Sequence, residues 1–111
     1  MAKDDYFVLV YKILSYLYKC LKNGKEPSEN YLKCKTKDFP IEESYWNYVL
    51  EQLTRESYIE GTVIIKIDGC NPIVKITDTM RITPKGIEYL EENSMMKKVM
   101  AVVKDISDIV P

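Results

Sequence analysis

Residues 62–84 constrain the fold more tightly than any other stretch. Residues 62–67 read Thr-Val-Ile-Ile-Lys-Ile, and residues 73–82 form a second run rich in branched side chains. Branching at Cβ restricts χ1 in a helix and suits the pleated surface of a sheet. Asp68-Gly69 lies between the runs with the positive-φ chemistry of a hairpin turn, and Asn71-Pro72 prolongs it. Thr83-Pro84 follows directly. A threonine hydroxyl there can accept from a free amide of the first helical turn, and a proline forfeits no hydrogen bond. The stretch predicts strand, turn, strand and helix start.

The remaining periodicity is helical. From Asp5 to Lys22 the polar positions Asp5, Lys12, Ser15, Lys19 and Lys22 fall on one narrow stripe, and all else is apolar or aromatic. A helix so apolar must be covered on more than one side. Asn23-Gly24 ends it, with Gly24 as a left-handed terminal residue. Pro27-Ser28 predicts a short second helix, capped by Ser28, with Tyr31 and Leu32 inward. A polar connection, Lys35-Thr36-Lys37-Asp38, leads through Phe39-Pro40 to a third helix over about 41–56. Its inward stripe is Ile41, Trp46, Val49, Leu50 and Leu53; its outward face is Glu43, Ser44, Asn47, Tyr48, Glu51, Gln52 and Arg55. A fourth helix runs from Pro84 to about Asn93, and Ser94 can cap a fifth. The fifth carries a seam of Met96, Val99, Val103, Ile106 and Val110, widened by Met95, Met100, Val102 and Ile109. It either covers the first helix of its own chain or packs on a second subunit as a homodimer, and both can hold together.

A length of 111 residues fits one domain with its own core. Helix, short helix, longer helix, hairpin, helix is the winged-helix order. The expected class is therefore α+β: a three-helix helix-turn-helix core, a β-hairpin wing and two C-terminal helices. Residues 1–93 form the winged-helix domain and residues 94–111 the covering or dimerising helix. Residues 50–61, Leu-Glu-Gln-Leu-Thr-Arg-Glu-Ser-Tyr-Ile-Glu-Gly, look like the end of a third helix entering the first wing strand. Residues 80–90, Met-Arg-Ile-Thr-Pro-Lys-Gly-Ile-Glu-Tyr-Leu, look like the returning strand and the helix start of many winged-helix regulators. Here Thr83 caps, Gly86 permits close packing, and Ile87 and Leu90 face the core. On these passages and the element order, residues 5–107 resemble the YjcQ-like family of small winged-helix proteins, found largely in Gram-positive bacteria and their phages. The resemblance implies the fold and assigns no defined biochemical role. Ser57 departs from it, standing where many relatives of the fold have glycine: either it is left-handed or the helix ends differently. The long connection between the second and third helices also departs from a tight helix-turn-helix corner.

The residue types argue against catalysis. Histidine is absent, which removes the commonest general base and metal ligand. Cys20, Cys34 and Cys70 are odd in number, widely spaced and without a CxxC pair, so they read as reduced small hydrophobes, not a disulfide framework or a zinc site. No nucleophile with a base, phosphate loop or ligand cluster is legible. Asp4-Asp5 and Glu91-Glu92 sit near helix ends and read as surface charge. The expectation is a cytoplasmic binding module, not an enzyme, without cofactor, metal or membrane span; Lys12 and Lys19 interrupt the one long apolar run.

Two partner classes stay open. The first is double-stranded DNA, as for a transcription regulator. Ser44, Asn47, Tyr48, Gln52 and Arg55 would then reach bases or phosphates from the third helix. Lys35 and Lys37 would act before it, and Lys66, Lys75 and Arg81 on the wing. The second is another protein, met by the tyrosine-rich surfaces or the Met/Val/Ile tail of a module of phage or prophage origin. Charge weighs against the first. Residues 39–61 hold five acidic side chains and one basic, a net of −4, and the sequence pI is about 5.5. Each like charge ~10 Å from a phosphate costs about 0.4 kcal/mol in water, less in salt.

Overall fold

The computed structural model describes residues 5–93. Its order is α1 (Asp5–Lys22), α2 (Glu43–Arg55), β1 (Ile59–Ile65), β2 (Ile73–Ile82) and α3 (Pro84–Glu92). The three helices and the two-stranded antiparallel hairpin make an α+β fold compatible with a winged helix. The expected fifth helix, with Ser94 and the seam Met96, Val99, Val103, Ile106 and Val110, lies outside the described residues.

α1 has the bounds its stripe predicts and forms the centre of the core. Leu9, Val10, Ile13, Leu14, Tyr16 and Leu17 are buried on it. Its polar stripe is not wholly wet, however. Lys12 is 8% exposed; its ammonium donates to the Asp38 carbonyl and lies 4.8 Å from the Phe39 ring centroid. Burial pushes the Lys12 pKa down, and the Asp38 carboxylate opposes that shift.

The short second helix does not form. Residues 28–32 make a single turn, in which the Ser28 carbonyl accepts from Tyr31 N–H at 3.2 Å and Leu32 N–H at 3.0 Å. Ser28 Oγ accepts from Asn30 N–H at 3.2 Å, as a cap would. The turn does not propagate. Lys35 stands at φ 59, and its N–H donates to the Ile41 carbonyl at 3.1 Å, which turns the chain back on itself. Helix growth must offset a costly nucleus, and this segment has no length in which to do it.

α2 starts two residues later than its apolar period suggests, after Glu42 in extended backbone. Trp46, Val49, Leu50 and Leu53 are buried as expected, and Ile41 is half-buried before it. The helix ends at Ser57, which is left-handed at φ 65. The first of the two readings of Ser57 is therefore correct.

β1 and β2 pair in two registers. Ile59 faces Ile82 and Glu60 faces Arg81; past an irregularity, Thr62 faces Ile76 and Ile65 faces Ile73. Gly61 sits at this break at φ 83, and a Cβ there would lie 2.4 Å from the Thr79 carbonyl oxygen. The Thr77 hydroxyl donates to the Gly61 carbonyl and holds the bulge. At the start of α3, Thr83 Oγ1 accepts from Gly86 N–H at 3.1 Å, with Pro84 in the first turn. A Cβ on Gly86 would lie 2.4 Å from the Tyr58 carbonyl oxygen, so the close packing expected of this glycine is real.

Cys20, Cys34 and Cys70 are free thiols; Cys20 is buried as a small hydrophobe and Cys34 is half-buried, whereas Cys70 is exposed, against the expectation of a packed side chain there. Among the described residues, no helix is long and apolar enough to cross a membrane.

Candidate interaction surface

One flank of α2 seats the hairpin. Asn47 Oδ1 accepts from Val74 N–H at 3.0 Å. Thr54 Oγ1 donates to the Leu50 carbonyl at 2.9 Å, so at 2.8 Å it accepts from the Thr62 hydroxyl. Asn47 is thus a correction to the outward face read from the sequence. It is 8% exposed. Lying three residues before Leu50, it borders the apolar stripe, and β2 closes over it. Reaching a base edge would strip the Val74 amide of its partner.

The opposite flank of α2 carries aromatic rings into solvent. Tyr48 is 51% exposed and Phe7, from the first turns of α1, is 50% exposed. The rings form a chain. Tyr45 and Tyr48 stack at 6.5 Å between centroids, Tyr48 lies 6.4 Å from Tyr6, and Tyr6 meets Phe7 edge-on at 5.2 Å. Burial raises the Tyr6 hydroxyl pKa, helped by Tyr48, Tyr89, Tyr45 and Glu56. Gln52 lines a shallow hollow with Tyr6, Phe7 and Glu56. A second hollow of about 330 Å³ lies where the wing tip, at Asn71 and Pro72, approaches Ser44, Tyr45, Tyr48 and Glu51.

The cations do not gather on this face. Arg55 Nε donates to Glu51 at 2.8 Å, Lys35 Nζ lies 3.9 Å from Glu42, and Arg81 pairs with Glu60 across the hairpin. Lys37, Lys66 and Lys75 are exposed and make no ion pair among the described residues. Lys75 faces Val63 near the wing tip, whereas Arg81 sits at the wing base, up to about 20 Å further along β2. Ser44, Tyr48, Gln52 and Arg55 share α2; the wing cations are spread along a different element. Glu42, Glu43 and Glu56 stay exposed around the tyrosines. A wider hollow, about 710 Å³, lies between the end of α1 and the bulge, with walls of both charge signs from Lys25, Glu26, Glu60, Asp78 and Arg81. No group of three or more His, Cys, Asp or Glu among the described residues could hold a metal ion.

A family model described as YjcQ protein matches residues 11–109. The chain belongs to the YjcQ family. No curated protein and no solved structure matches it. The YjcQ match begins inside α1 and runs past α3, so the family unit takes in α2, the hairpin and most of the tail. Tyr45 and Tyr48 fall within this YjcQ unit, and Tyr6 and Phe7 precede it. The sequence marked Tyr48 as outward but missed the ring chain. Its signal was an aromatic residue at the outward position of an otherwise polar face, and the bridge to Tyr6 is a tertiary contact no local pattern records.

Proposed function

We propose that the chain is a protein-binding module that meets its partner through the outer face of α2 and the adjoining start of α1. The carrying observation is the ring chain Tyr45, Tyr48, Tyr6 and Phe7 beside an acidic helix face, in which Tyr48 and Phe7 are exposed and Tyr45 and Tyr6 are half-buried. Aromatic side chains are enriched at protein interfaces because they bring a large apolar area with a polar tip. Duplex DNA would instead meet Glu42, Glu43 and Glu56, with Arg55 already held by Glu51. The seam of residues 94–111 supplies a homodimer contact; a full chain that stays monomeric by light scattering at high concentration would remove that part of the reading.

The test places a photo-cross-linking residue at Ser44 of the full chain in cells of its source. The expected result is a discrete protein adduct, identified by mass spectrometry and lost when Tyr45 and Tyr48 are both changed to Ala. In parallel, labelled duplex DNA at low salt should show no anisotropy change. Binding of the duplex, with a log–log salt slope of roughly −0.9 per phosphate contact that Lys66→Ala and Lys75→Ala flatten, would replace this reading with the DNA one.

A further inference from the structure

We propose that the hollow between the first half of α2 and the wing tip receives a cationic side chain, arginine or lysine, from a basic segment of the partner. This rests on the protein-binding reading and names the chemistry of the partner. The hollow holds about 330 Å³, room for one long side chain, between Ser44, Tyr45, Tyr48, Glu51, Asn71 and Pro72. Its two tyrosine rings lie near parallel, 14° apart in plane. The face of an aromatic ring is electron-rich and attracts a cation. A carboxylate stands on the same wall, and within the chain it already selects a guanidinium: Arg55 Nε bonds Glu51 Oε2 at 2.8 Å. A carboxylate accepts at both oxygens, so one guanidinium bonded through a single nitrogen does not fill it. The surroundings extend the same preference. Glu42 and Glu43 are exposed at the start of α2, Glu42 lying 3.9 Å from Lys35, and residues 39–61 carry a net of −4, of which Glu60 is paired to Arg81 at the wing base. A basic segment is drawn to this face, and an acidic one is repelled.

The experiment titrates the full ¹⁵N-labelled chain with a short blocked peptide of alternating arginine and glycine, and with its glutamate counterpart. The arginine peptide should shift the amides of residues 44–51 and 70–71, weaken as salt rises, and the glutamate peptide should shift none. Tyr48→Ala removes an exposed ring, so the fold is kept while affinity falls about tenfold. Arg55→Gln, which relieves Glu51 of its intrachain partner, should tighten binding severalfold. Equal shifts from both peptides, shifts scattered over every acidic surface, or wild-type affinity in Tyr48→Ala would overturn the proposal. If the arginine peptide fails while the adduct at position 44 persists, the cationic site falls and the interaction reading stands. Loss of both removes both.

Discussion

The connection over residues 23–42 and the wing over residues 59–82 are of similar length, and they are held in opposite ways. The wing is a ladder. Its strands pair through the backbone, and side chains adjust the pairing at one bulge. The connection has no helix or strand, although structureless loops of its length are uncommon in compact domains. Side chains from elsewhere hold it. Lys12 bonds the Asp38 carbonyl, Tyr16 Oη accepts from Ser28 N–H at 2.8 Å, and Phe39 inserts into the core. Rings run across it in sequence: Tyr16 to Tyr31 at 4.4 Å, Tyr31 to Phe39 at 5.4 Å, and Phe39 to Trp46 at 4.9 Å. A backbone ladder is written in the residues that form it. A side-chain clamp is written in residues far along the chain.

The largest effect should come from pulling out the centre of the clamp. Phe39 is 0% exposed. Phe39→Ala should cost about 3–5 kcal/mol in urea denaturation, through lost burial and an unfilled cavity. A cost below about 1 kcal/mol would mean the connection only drapes over the core and that the contrast with the wing is false.

Asn47→Ala attacks the wing's seat in turn. It leaves the Val74 amide buried without its acceptor, at about 1–3 kcal/mol. Hydrogen exchange should speed at Val74 before it speeds in the rest of the hairpin. Unchanged exchange there would show that the strand ladder holds the wing without help from α2.

The same contrast explains what could be read in advance. α1, β2 and the Thr83–Gly86 start of α3 carry their causes locally, in period, turn residues and cap, so their bounds were legible. β1 runs Ile59–Ile65 and not over 62–67, because Ile59 and Glu60 pair with Ile82 and Arg81 beyond the bulge, a register the branched run does not show. The second helix was not legible, because Pro27-Ser28 and Tyr31-Leu32 do carry the local signs of one. What overrides them is Lys12 reaching Asp38 across 26 residues and Lys35 turning left-handed. The candidate surface divides similarly. Tyr48 was legible as an outward aromatic residue, and Glu51 and Arg55 stand at a local i,i+4 spacing, whereas Asn47 and the carboxylate on Arg81 depend on which elements close over them or lie opposite.

Alkaline titration probes the clamp more gently. Tyr31 is half-buried, and its hydroxyl has no hydrogen-bond partner among the described residues. Burial, then the Asp38 carboxylate and Tyr16, push its pKa from 10.0 up to about 12. A pKa raised by folding gives stability that is complete below the unfolded value and is lost as pH climbs through the folded one. The loss should therefore begin near pH 10 and finish near pH 12. Lys12 acts in the opposite sense: its pKa is lowered from 10.5, so it favours the fold as pH rises towards that value. Solvent screening at a half-buried group reduces the Tyr31 contribution to about 1 kcal/mol. Tyr31→Phe should flatten the decline in urea melts across this window. An equal decline in the variant would assign it to Tyr6, Tyr11, Tyr16 and Tyr89, whose pKa values burial also raises, and would take it away from Tyr31.

Ser57 is the weak point of the locally encoded half. Ser57 N–H donates to the Thr54 carbonyl at 3.1 Å and Tyr58 N–H to the Leu53 carbonyl at 3.0 Å, the paired bonds of a helix stop built around a left-handed residue. A side chain there costs about 1–2 kcal/mol that glycine avoids, and glycine loses about 0.5–1 kcal/mol to unfolded-state freedom. Ser57→Gly should therefore stabilise the fold by about 0.5–1 kcal/mol, read as a raised urea midpoint. The Ser57 carbonyl accepts from the Thr83 hydroxyl, a bond to backbone that the substitution keeps. That bond ties the end of α2 to the start of α3, so the two local stop and start signals support each other across the hairpin. If Ser57→Gly gains nothing, the tie to Thr83 rather than the helix stop fixes residue 57, and even this part of the chain is set at long range.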